Sequence, residues 1–129
     1  MGTTKLLILF LFSSTSLIAP QSSDVFIGAY SVKDNGQMKE YIKIEKHGNE
    51  FTVSEKLNGR WLSPKVVVPV TKSQMGKLLG KPINIQLLGL GNDNAALIKV
   101  PKGWHLDNFV CNTGYWLATV LGPIELYKN

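Results

Sequence analysis

The chain has 129 residues, 44% of them hydrophobic, with 14 basic residues against 9 acidic ones and a single cysteine, Cys111. This length suits one domain that can bury a core without staples, and one cysteine excludes an intramolecular disulfide framework. The net charge of +5 is uneven, with ten Lys/Arg against five Asp/Glu in residues 33–81; the alternation of lysines with glutamates there is the pattern of a solvated sheet face and speaks against nucleic acid as a partner.

The first 23 residues have three parts. Met1 to Lys5 is a short cationic lead, Leu6 to Phe12 is an unbroken apolar run, and Ser13 to Ser23 is small and polar. That order predicts a secretory signal peptide over 1–23. The apolar run is far short of the ~20 residues that a spanning helix needs. Residues 24–129 are then expected to form a single exported β-rich domain, periplasmic or secreted. Leu17-Ile18-Ala19 resembles the start of a bacterial lipoprotein cleavage box, which points to a bacterial source. The residue that follows is Pro20 rather than the cysteine that would carry the lipid, so lipidation is not possible there.

Beyond the leader the pattern is β. Val25–Tyr30 reads as a first strand, and Asp34-Asn35-Gly36 as a turn. Tyr41–Lys46 and Phe51–Lys56 alternate, with Ile42, Ile44, Phe51 and Val53 facing inward. Asn58-Gly59 is the preferred two-residue hairpin turn. Pro64 and Pro69 bracket a valine run, which predicts an edge or bent strand. Thr71-Lys-Ser-Gln74 forms a capping box. Met75, Leu78 and Leu79 then share a helical face, and Gly80 ends a short helix near 71–79. Strand pattern resumes with Ile83, Ile85 and Leu87, turns at 91–94, and continues over Ala95–Val100. Residues 101–114 have no clear period. Tyr115–Leu121 reads as a strand, Gly122-Pro123 as its turn, and Ile124–Tyr127 as the last strand. The fold class expected is all-β with one short helix, a small antiparallel meander barrel or sandwich of seven to eight strands.

Chemistry is sparse. His105, Asp107 and Cys111 are the types that build a thiol nucleophile, but they lie within seven residues of one segment, and a nucleophile, its base and its orienter must converge in space. Their spacing matches no zinc pattern either. The expectation is therefore no catalytic residues, no metal site, no cofactor, and Cys111 as a buried thiol. The expected function is binding of another protein, in the manner of a periplasmic inhibitor or toxin-immunity protein. The contact candidates are the 101–114 segment (Trp104, His105, Asp107, Phe109) and the basic strands (Lys43, Lys46, Lys56), which favour an acidic protein partner. The alternative is a small lipocalin-like carrier of an apolar ligand. Against it, an eight-stranded barrel of this size leaves an interior nearly filled by side chains.

Overall fold

The computed structural model describes residues 22–83 and 87–129. Nearly all of the expected leader, and the middle of the Ile83–Leu87 alternation, lie outside the described residues. The elements are β1 (Gly28–Asp34), β2 (Gln37–His47), β3 (Glu50–Leu57), β4 (Arg60–Trp61), β5 (Lys65–Pro69), α1 (Lys72–Leu79), β6 (Leu88–Gly91), β7 (Ala95–Lys99), β8 (Trp104–Leu106), β9 (Phe109–Cys111), β10 (Tyr115–Thr119), β11 (Gly122–Glu125) and β12 (Tyr127–Lys128). A single turn of 3-10 helix over Ser23–Phe26 precedes β1.

The main sheet runs β11-β10-β7-β6-β5-β3-β2-β1-β12, with antiparallel neighbours throughout. Its strands follow chain order, so it is a meander. The two ends of that path, β11 and β12, are halves of one terminal stretch broken at Leu126. The Leu126 N–H donates to the Tyr115 carbonyl at 3.0 Å, and the Asn129 N–H donates to the Ala29 carbonyl at 2.9 Å. The last strand thus bridges β10 to β1 and wraps the sheet into a nearly closed barrel. Closure removes the exposed edges that would otherwise invite pairing with other chains.

Turn chemistry sets the register. Asn35 and Gly36 have φ of 52° and 80°, and Asn58 and Gly59 have 52° and 78°. Both central residues with positive φ mark the hairpin turn whose twist matches the flanking strands. The capping box on α1 is complete. Thr71 Oγ1 accepts from the Gln74 N–H at 3.1 Å, and Gln74 Oε1 accepts from the Thr71 N–H at 2.9 Å. Gly80 ends the helix in the left-handed region.

Four expectations need correction. Val25 and Phe26 belong to the 3-10 turn, and the first strand starts at Gly28. The valine run is bent but is no edge: β5 pairs β3 through Lys65–Val67 and β6 through Val68–Pro69. The aperiodic 101–114 segment contains a hairpin, β8–β9, that forms a separate two-stranded sheet. The turn expected at Gly122-Pro123 sits at Val120-Leu121, and Gly122 already pairs with Thr119.

Two cores result. Inside the barrel pack Tyr30, Ile42, Ile44, Phe51, Leu90, Leu97 and Leu126, with Phe26 from the 3-10 turn. The Tyr30 hydroxyl donates to the Phe26 carbonyl at 2.6 Å. Outside, Met75, Ala96, Ile98, Cys111, Trp116 and Ala118 form a second cluster. It forms because β7 and β10 are apolar on both faces, and α1 and the β8–β9 hairpin cover their outer side. Up-and-down connectivity puts the β1–β2, β3–β5, β6–β7 and β10–β11 turns at one end of the barrel. The connections that carry α1 and β8–β9 leave from the other.

Candidate functional site

The β8–β9 hairpin turns at Asp107-Asn108, where Asp107 takes φ of 54°. Its register pairs Trp104 with Cys111, His105 with Val110, and Leu106 with Phe109. Alternation then puts Trp104, Leu106, Phe109 and Cys111 on the inner face and His105 and Val110 on the outer one. The inner face rests on Trp116. Trp104 stacks on it at 5.6 Å between ring centroids, and Phe109 tilts against it at 5.1 Å. His105 is exposed, and Cys111 is fully buried on the opposite face, with its thiol donating to the Tyr115 carbonyl at 3.4 Å. The imidazole and the thiol therefore face apart. Among the described residues no group of three His, Cys, Asp or Glu is placed to hold a metal ion.

Asp107 anchors the hairpin tip to the segment after α1. Lys81 Nζ lies 2.9 Å from both of its carboxylate oxygens. Glu125 fixes the other end by accepting from the Asn112 and Thr113 N–H groups at 2.6 and 2.9 Å. Between hairpin, helix and β10–β11 runs a groove of about 590 Å³. Leu78 and Leu79 form one wall, and Leu106, Asp107 and Phe109 the other. Trp116, Ala118 and Pro123 lie beneath, and Val120 stands at the end. Trp116 Nε1 is buried and has no hydrogen-bond partner. At the groove's end Val120 is 80% exposed and Leu121 95% exposed.

The seven residues singled out in the sequence do not converge. Asp107 and Phe109 line the groove, Trp104 stacks against its floor, and His105 points away from it. Lys43 and Lys56 lie on another part of the barrel, where their ammonium groups flank the Trp61 ring at 4.6 and 5.3 Å. Lys56 also pairs with Glu40 at 2.7 Å. Lys46 pairs with Asp24 at 2.9 Å, beside the N-terminal 3-10 turn. Sequence reasoning missed Leu78, Leu79, Val120 and Leu121 as surface-forming residues. The one available signal was the apolar Val120-Leu121 pair directly before Gly122-Pro123.

A second concavity opens at the end of the barrel that carries the four short turns. It measures about 240 Å³ and is lined by Ile42, Ile44, Val67, Leu90, Leu97 and Leu117, with Tyr41, Glu55, Lys65 and Thr119 among its polar residues. Ile42, Ile44, Val67, Leu90 and Leu97 at its floor belong to the packed barrel core. Burial first, and then the Glu55 carboxylate, pushes the Tyr41 phenol above its ordinary value. No helix among the described residues is long and apolar enough to cross a membrane. No family model, curated protein or solved structure matches the chain.

Proposed function

We propose that this chain is an exported, non-enzymatic binding protein of the bacterial envelope. It engages another protein through the groove beside α1, as a periplasmic inhibitor or toxin-immunity protein engages its target. The observation that carries this reading is the Val120-Leu121 tip. Single exposed apolar side chains are ordinary, but two adjacent ones at the end of a groove walled by Leu78, Leu79, Leu106 and Phe109 make a patch of the kind that marks interaction surfaces.

Charge favours an acidic partner. No Asp or Glu lies between Glu55 and Asp93, a stretch that includes Lys72, Lys77 and Lys81 on and after α1. Asp107 offsets Lys81 alone, through an exposed ion pair that a partner's carboxylate can replace. Basic groups around an apolar centre steer an acidic surface and leave the apolar contact to hold it.

The test is a paired capture from envelope and secreted extracts, with residues 24–129 as bait, wild type against Leu121→Asp. The wild type is expected to retain one acidic protein in stoichiometric amount. Leu121→Asp is expected to lose at least about nine-tenths of it, because a buried anchor is worth ~2 kcal/mol or more. Its melting temperature should not move, since Leu121 is 95% exposed. Equal capture by both baits, or no stoichiometric protein, would overturn the reading.

A further inference from the structure

The cavity at the barrel's open end is a separate feature with chemistry of its own. Its wall is made of branched aliphatic side chains, and its volume of about 240 Å³ equals roughly eight waters at ~30 Å³ each. A space of that size with an aliphatic floor suits an apolar body of roughly eight to ten heavy atoms, smaller than a drug-sized ligand.

The rim is ionic and incompletely satisfied. Val53 pairs directly with Lys65 across β3 and β5, and Glu55 lies two residues further along β3. Lys65 and Glu55 are therefore diagonal neighbours on the same, inward face, with a spacing of roughly 7–8 Å. Both line the cavity, yet no ion pair forms between them or with any other described residue. Tyr41, the extra residue at the bulge where the β1–β2 register shifts between Tyr30 and Ser31, adds a hydroxyl to the same rim.

We infer that the open end of the barrel is a binding site for a small zwitterionic amphiphile, whose aliphatic body fills the cavity while its ammonium meets Glu55 and its carboxylate meets Lys65. The Glu55 carboxylate and the Lys65 ammonium are not paired with each other in the structure, and a ligand carrying both opposite charges can meet the two together. The site lies inside the barrel, whereas the groove lies on its outer wall, so partner capture and ligand binding succeed or fail independently.

Three probes with ten-carbon chains decide the matter by calorimetric titration of residues 24–129: 2-aminodecanoate, decanoate and decylamine. The zwitterion is expected to bind at least roughly tenfold more tightly than either singly charged probe, the margin of one charge-assisted hydrogen bond. Glu55→Gln should remove most of its advantage over decanoate, and Lys65→Met most of its advantage over decylamine. Both side chains are exposed, so the folds should persist. Leu117→Trp fills the cavity and should abolish binding of all three; Leu117→Phe serves if the larger ring prevents folding. Absence of binding by the zwitterion, equal affinity for the three probes, or a margin unchanged in both rim variants would overturn the inference.

Discussion

Trp116 is the residue on which the outer wall depends. It stands on β10, fully buried beneath the hairpin, and its indole N–H has no acceptor among the described residues. Removing the whole side chain leaves a large cavity, so Trp116→Ala should cost about 3–5 kcal/mol in urea unfolding. Trp116→Phe keeps most of the ring and deletes the unsatisfied donor, whose burial costs ~1–3 kcal/mol. The phenylalanine variant should therefore lose less than about 1.5 kcal/mol, a smaller penalty than volume alone gives. A loss near that of alanine would mean that the indole N–H is satisfied in solution. The same packing makes Trp104→Ala a poor probe of partner contact, because Trp104 stacks on Trp116 and its loss would loosen the hairpin. Tyr30 is the corresponding residue inside the barrel. Burial, and secondarily Tyr115, pushes its phenol far above its ordinary value near 10. A raised folded-state value means that stability is fully present below the unfolded value and is lost as pH rises above it. Wild type should therefore lose stability steadily from about pH 10 upward, and Tyr30→Phe should flatten that slope. At neutral pH the variant should be about 1 kcal/mol less stable, from loss of the bond to the Phe26 carbonyl. Parallel pH profiles for the two proteins would contradict this placement of Tyr30.

Among the elements, the tight β6–β7 connection leaves least room. Asn92 Oδ1 accepts from the Asn94 and Ala95 N–H groups at 2.9 and 3.2 Å. This draws the chain back so closely that a Cβ at Gly91 would press into the Ala95 carbonyl oxygen and the Ala96 backbone. Gly91→Ala should destabilise by about 1–3 kcal/mol in urea unfolding, the usual penalty of overpacking; an unchanged midpoint would show that the turn yields. Elements of this kind were legible wherever local chemistry decides the outcome. Asn58-Gly59 needs positive φ at both positions, Thr71 and Gln74 satisfy each other's backbone, and Ile42 and Ile44 alternate with Tyr41, Lys43 and Glu45 along a long strand. The hairpin β8–β9 was not legible, because three-residue strands are too short to establish a period. Nor was the double burial of β7. Ala96, Ile98 and Val100 share one face by alternation, and Leu97 on the other is equally buried. The outer cover comes from α1 and the hairpin, a tertiary fact that no window of sequence contains. The candidate groove was half visible for the same reason. Phe109 and Asp107 stood out as types, but Leu78 and Leu79 read as an ordinary amphipathic face until the helix was seen to leave them half-buried beside β10.

For the whole molecule, closure through the last strand is the organising feature. It ties β10 to β1, gives the barrel an interior and an exterior, and leaves the long connections free to build a second layer on one side only. The charge distribution follows that division. The lysines of α1 border the covered side, while Lys43 and Lys56 sit over Trp61 elsewhere on the barrel, so the two basic regions are separate surfaces. On the proposed function, an acidic partner steered to one of them need not touch the other, and the central question is which surface it would touch. Hydrogen exchange on the domain alone and with its captured partner answers that directly. Partner docking in the groove predicts slowed exchange at residues 77–81, 104–109 and 118–123, with residues 40–61 unchanged. Protection confined to 40–61, with the groove segments exchanging as in the free protein, would contradict the account and place the partner on the Lys43–Trp61–Lys56 face instead.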